Sequence, residues 1–340
     1  MQAMAQNFGD PLKEYHSVNE DIGALDLSYL GKLRVSGRDR VRYLHNMLSN
    51  DIKGLAEGQG CYAALLTHQG RMEADLYALA FAEELWLESS LAAKDRLFQT
   101  LTKYVVADVV TIEDWTEKLG ILSLQGPRAG EKMEEITSLS LASLSALDHR
   151  TIIRSSGNWV VVRRDRTGCG GYDLWLAAGE VADVWHQWVG AGRIPPVGLQ
   201  ALNWLRTEAG IPWYGVDMDD KNLPMEMGLD QAISMTKGCY RGQEIVARVT
   251  HRGHLDRKLG AIAVRHEELP SAGTEVRAGG NKVGVITSAI PSPRLRQPLA
   301  LAVVKTEYLK AGTAVEVAYG ERLFPGQVVS LPLNDGHLRG

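Results

Sequence analysis

The run NWVVVRRDRTGCGGYDLWLA, Asn158–Ala177, decides the fold class. Its two flanks are dense in β-branched and aromatic residues, the composition of paired strands, and RTGCGG between them supplies the glycines that a chain reversal requires. A helix follows at once in EVADVWHQWVGAG, Glu180–Gly192, closed by Gly190 or Gly192. Toward the N-terminus, GKLRVSG (Gly31–Gly37) reads as a strand and leads into a helix with Val41, Leu44 and Leu48 at helical spacing. ADLYALAF and ELWLESS form a hairpin around a short acidic turn, LAAKDRLFQTLTKYVV carries Leu97, Leu101, Tyr104 and Val105 on one helical face, and LGILSLQGP is a strand halted by glycine and proline. Toward the C-terminus, PVGLQALNWLRTEAG is a helix with Pro196 near its start and Gly210 as its stop. Strands and helices alternate without a repeated βαβ period, which predicts an α+β fold over a doubly wound parallel sheet.

After about Asp256 the texture changes to short β-rich runs, KLGAIAV, TEVRA, KVGVITS, LALAVV and AVEVAYG, separated by Gly and Pro turns. The expected division is an α+β region over 1–250 built of two intertwined subdomains, followed by a small β-barrel domain over 255–335. A chain of 340 residues is long enough for two or three hydrophobic cores. Apolar residues make up 45% and charged residues 23%, which excludes a disordered or fibrous chain.

With 37 basic and 41 acidic residues the net charge is -4, so no global field draws the protein onto nucleic acid, and direct nucleic-acid binding is not expected. No signal-peptide pattern and no stretch of about 18 apolar residues occurs, so a cytoplasmic location without membrane contact is expected. Cys61, Cys169 and Cys239 form no CxxC pair, and His251 and His254 lack further ligands at suggestive spacing, so no metal site is expected.

The densest motif is KGCYRGQE, Lys237–Glu244, with a thiol, two cations, two glycines and a carboxylate. Lys237 and Arg241 would favour a thiolate at Cys239, helped by the positive end of a helix starting near Gly242. A structural cysteine in a glycine turn reads equally well. The stretch from Arg241 to Lys258 also gathers Arg248, Arg252 and Arg257, either as a solvated face or as a seat for an acidic group. Trp175, Trp185, Trp188 and Trp204 could stack on a ring, although core packing suits their positions better.

KGCYRGQE resembles the KGC(Y/F)xGQE signature of YgfZ-type folate-binding proteins, in the superfamily of the glycine-cleavage T-protein. GKLRVSGRDRVRYLHNMLSND, LSLQGP, RTGCGGYDLWL, LRTEAGIPWYG and KVGVITSAIPSP resemble that superfamily's successive landmarks and cover nearly the whole chain. The resemblance implies a ring-like fold with a tetrahydrofolate channel, the folate carrying or lacking a one-carbon unit. It implies Asp75 beside the reacting nitrogen, with Ala74 where aminomethyltransferases have a preceding aspartate, and Asp173 near the pterin ring. Glu208, Glu226, Lys237, Tyr240, Gln243 and Arg248 are the further candidate folate contacts, and Cys239 with Asp75 the candidate catalytic pair. Leu202 stands where the aminomethyltransferase pattern has arginine. These departures give the expectation of an accessory protein for assembly or repair of iron–sulfur clusters, with clients such as tRNA-modifying radical enzymes. The alternative is an aminomethyltransferase or related folate-dependent one-carbon transferase.

Overall fold

The computed structural model describes residues 4–155, 157–320 and 322–333. In chain order the first half carries α1 (Pro11–Glu20), β1 (Gly23–Asp26), β2 (Gly31–Ser36), α2 (Arg40–Met47), β3 (Gly60–Leu66), β4 (Met72–Ala80), β5 (Glu84–Ser89), α3 (Leu91–Lys103), β6 (Thr111–Asp114), β7 (Leu119–Gln125), α4 (Ala129–Thr137) and β8 (His149–Ile152). There follow β9 (Trp159–Arg163), β10 (Gly171–Ala177), α5 (Val181–Val189), α6 (Leu199–Ala209) and α7 (Gln243–Arg252). The last six strands are β11 (Arg257–Val264), β12 (Glu275–Ala278), β13 (Asn281–Ser292), β14 (Gln297–Lys305), β15 (Ala314–Tyr319) and β16 (Arg322–Val329). They close into a barrel in the order β11-β14-β13-β12-β15-β16, while the preceding strands form two five-stranded sheets, β3-β4-β5-β2-β6 and β1-β7-β10-β9-β8. The fold is α+β with a closed C-terminal barrel.

Period-two alternation decides which face of each sheet does what. In the first sheet Ala74, Leu76 and Ala78 of β4 and Leu85 and Leu87 of β5 pack with Leu44 of α2 and Leu97 and Leu101 of α3. Asp75, Tyr77, Trp86 and Glu88 therefore project from the opposite face. In the second sheet Leu174 and Leu176 of β10 pack with Leu122 and Leu124 of β7 beneath Met133 of α4 and Val184 and Trp188 of α5. Asp173 and Trp175 point the other way, toward the first sheet, and the Trp175 ring centre lies 5.7 Å from that of Trp86.

Helix α6 joins the parts. Ala201, Leu202, Trp204 and Leu205 share a core with Leu25 and Leu27, with Trp175, and with Ala261, Ile290, Leu299 and Leu301 of the barrel. The helix stops at Gly210, whose φ of 77° lies in the left-handed region that a Cβ disfavours. No helix among the described residues is long and apolar enough to cross a membrane.

Candidate functional site

Between the inward faces of the two sheets lies a cavity of about 360 Å³. A row of side chains crosses its floor, because Tyr62 of β3 pairs with Tyr77 of β4 and Tyr77 pairs with Glu88 of β5. The Tyr62 and Tyr77 rings stack at 4.4 Å, and the Arg164 guanidinium lies 3.4 Å above the Tyr77 ring. Asp75, one pleat along β4, lines the cavity, as do Tyr77, Glu88, Arg164 and Arg166. The opposite wall is apolar and is formed by Leu27, Leu199, Leu202, Ile211, Pro212 and Trp213 among others.

One carboxylate there, Asp75, is only half satisfied. Its Oδ2 accepts a 2.8 Å hydrogen bond from the Tyr62 hydroxyl, while Oδ1 is buried with no partner. Burial pushes the Asp75 carboxyl above the usual carboxylate range, against the Tyr62 hydrogen bond and the nearby Arg164. Burial likewise pushes the Tyr62 phenol well up, so it remains a donor. The Nε of Arg164 is also buried without a partner.

Asp173 does not line the cavity but stands behind it, 1% exposed. Arg166 Nε lies 3.1 and 3.2 Å from its two oxygens and Nη2 lies 2.6 Å from Oδ2. The same guanidinium reaches Glu88 at 3.0 and 2.7 Å. Two buried carboxylates thus share one cation. Burial opposes ionisation of Glu88, but Arg166, Arg164 and Lys32 together hold it below its usual range. Burial dominates at Asp173 and raises it, despite Arg166.

The remaining predicted residues lie outside the cavity lining. Glu208 accepts from the Tyr15 hydroxyl at 2.6 Å, from Arg294 N at 3.2 Å and from the Ser292 hydroxyl, which pins α6 to the barrel. Glu226 caps its own turn by accepting from Leu223 N at 2.9 Å and pairs with Arg257 at 2.9 Å. Lys237 donates to the carbonyls of His45, Leu48 and Asn50 and so caps the end of α2, and burial pulls its pKa down to about 8. Tyr240 is buried with Tyr62, Met72 and Met225, Gln243 opens α7, and Arg248 is exposed on that helix. Arg241 pairs with Glu73 at 2.6 Å, and a Cβ on Gly242 would lie 2.4 Å from the Thr67 carbonyl. The density of KGCYRGQE therefore has a packing origin, since the segment clamps α2 and the start of β4. Cys239 is exposed, and both flanking cations are committed to other partners. The side chains of His251 and Arg252 lie outside the described residues. Trp175, Trp188 and Trp204 are core residues, and Trp185 packs at the edge of one.

Sequence reasoning missed Tyr62, Glu88, Arg164, Arg166 and Trp213. Glu88 carried a signal, as a carboxylate in register with Trp86 on the strand face opposite Leu85 and Leu87. So did RRDR, Arg163–Arg166, whose charges crowd a turn beside glycines.

Two family models match in succession. The GCVT N-terminal domain covers residues 4–237, and the glycine cleavage T-protein C-terminal barrel domain covers residues 257–335. An aminomethyltransferase of Rubrobacter xylanophilus is 30% identical over 320 residues, 94% of this chain and 85% of that protein. One from Caldanaerobacter subterraneus subsp. tengcongensis is 28% identical over 93% of this chain and 85% of its own. The crystal structure of glycine cleavage system aminomethyltransferase T from Bartonella henselae superposes with a TM-score of 0.86 at 23% identity, covering 97% of this chain and 94% of that one. These relatives overturn the expectation of an iron–sulfur accessory protein, because they carry the aminomethyltransferase name across nearly the whole chain. The two departures that favoured that expectation have physical answers. Ala74 points into the core opposite Asp75, so an acid there would not face the cavity, and Leu202 is 2% exposed in the apolar wall. By the succession of its two domains, the chain belongs to the glycine cleavage T-protein family.

Proposed function

We propose that the protein is a tetrahydrofolate-dependent aminomethyltransferase, with Asp75 as its catalytic carboxylate. The observation that carries this reading is Asp75, which lines a cavity of small-molecule size and keeps one buried carboxylate oxygen, Oδ1, without a partner. The residues present fit a reduced folate. Its ring system offers amine and amide donors to Glu88 and Asp75, a stacking face to Trp213, and an apolar edge to Leu27 and Leu202. When bound, tetrahydrofolate supplies the amine nitrogen that receives the one-carbon unit. Asp75 Oδ1 is the acceptor for the proton that this amine sheds, and the raised pKa brings the carboxylate closer to the basicity such a transfer needs. Tyr62 keeps the carboxylate in place through Oδ2. Arg166 holds Glu88 ionised and fixed in plane, and Asp173 holds Arg166.

The test is transfer from an aminomethylated lipoyl carrier protein to tetrahydrofolate, read as ammonia released with the purified chain. Turnover that requires both the carrier and the folate is expected. Saturable folate binding without any transfer would refute the enzymatic reading.

A further inference from the structure

Among the described residues, those that line the cavity fall between Met4 and Val216, and none comes from the barrel, which begins at Arg257. The wall segment 211–216 is nevertheless hung from the barrel, chiefly through Asp217 and also where Arg206 Nη2 donates to the Ser288 hydroxyl at 3.3 Å. Asp217, 3% exposed, divides its oxygens between two tasks. Oδ1 faces the barrel and accepts from the hydroxyls of Thr287 at 2.8 Å and Ser288 at 2.6 Å, both on β13. Oδ2 faces the wall and accepts from Trp213 N at 3.0 Å and from the Arg206 guanidinium. Arg206, fully buried on α6, donates also to the Ile211 carbonyl at 3.2 Å, and its guanidinium carbon lies 4.6 Å from the centre of the Trp213 ring.

A buried ion pair is a poor device for stability alone, because apolar residues of similar volume do as well without the desolvation cost. Its hydrogen bonds do fix geometry. We propose that Asp217, tethered to the barrel by Thr287 and Ser288, is a positioning residue that sets the Trp213 wall against which the folate ring stacks, with Arg206 backing that ring. The inference rests on the folate reading for its ligand, and it assigns the barrel a part in a site it does not line.

The test uses the full chain carrying Thr287→Val and Ser288→Ala together. These near-isosteric changes remove both donors to Oδ1, and with Ser288 one acceptor of Arg206 Nη2, while both members of the Arg206–Asp217 pair remain. Amide hydrogen exchange is expected to accelerate from Trp213 to Asp217 while β14 keeps its protection. Affinity for tetrahydrofolate should fall about tenfold, the order of one lost aromatic stacking contact. In a Trp213→Ala background the same two changes should alter affinity less than about twofold, because the wall they position is gone. Should the double variant fail to fold, Thr287→Val alone is read in the same three ways. Unchanged exchange at 213–217, or effects of wall and barrel changes that simply multiply, would overturn the proposal. Absence of folate binding to the native chain would instead sink the functional reading, and the exchange measurement would still decide whether the tether holds the wall.

Discussion

Replacing Asp75 with asparagine separates the chemistry of the cavity from its fold. The amide retains an oxygen for the Tyr62 hydroxyl, now 2.8 Å from Oδ2, and packs in nearly the same volume. What it loses is charge and basicity. General-base catalysis contributes about 10² to 10⁴ in rate. That corresponds to about 2.7 to 5.4 kcal/mol of barrier at about 1.36 kcal/mol per factor of ten. Stability should move the other way. The folded-state pKa of Asp75 is raised by burial, so the carboxyl favours the folded state below its unfolded value and this contribution is lost as pH rises through the folded pKa. Burial opposes the charged form of this half-satisfied carboxyl, and an unsatisfied buried polar atom costs about 1 to 3 kcal/mol. The variant should therefore melt no lower than the native protein at pH 7. On the proposed activity, the same sign gives an acidic limb, with transfer lost as pH falls through a value above about 3.9, the ordinary aspartate figure. Transfer to saturating tetrahydrofolate, measured beside thermal melts, reads both. A variant that retains transfer within threefold of native, or that loses it only by unfolding, refutes the role given to Asp75.

Asp173→Asn should weaken folate binding about tenfold, through Arg166, since a hydrogen bond to a charged group contributes about 1.5 to 3 kcal/mol; an unchanged dissociation constant would leave Asp173 with a framework role only. Glu208→Gln should show the opposite profile, with a loss of about 1.5 to 3 kcal/mol in a denaturant titration and folate affinity unaltered, because its partners are Tyr15, Ser292 and Arg294. A selective loss of affinity would bring it into the site. Cys239→Ser should leave affinity and transfer within about twofold of native, as an exposed side chain whose neighbouring cations are engaged elsewhere. Loss of transfer in a folded serine variant would restore a chemical role for the thiol.

Local patterns in the sequence carried the elements that hold the site. The alternation in ADLYALAF predicts the strand that projects Asp75, the strands around RTGCGG pair with Tyr172 opposite Arg163, and Gly210 ends α6 where a left-handed residue is needed. The short C-terminal runs identified the barrel. What was illegible depends on contacts across the chain. Arg166 reaches Glu88 from a turn 78 residues away, Arg241 reaches Glu73 over 168, and Lys237 reaches the carbonyls of α2's end over 187 to 192. A run of cations looks the same in sequence whether it faces a ligand or clamps a helix. Ala74 shows the same limit in reverse. Its adjacency to Asp75 suggested a broken acidic pair, yet neighbours on a strand point to opposite faces. Helix α1 and strand β3, the latter carrying Tyr62, were not read from the sequence at all.

The most direct test is anaerobic titration calorimetry of the native chain with tetrahydrofolate, repeated with Asp75→Asn and Glu88→Gln. The account predicts saturable binding at one site per chain, weakened by the Glu88 change. Absence of saturable heat with any reduced folate, from a protein that melts cooperatively, would contradict it.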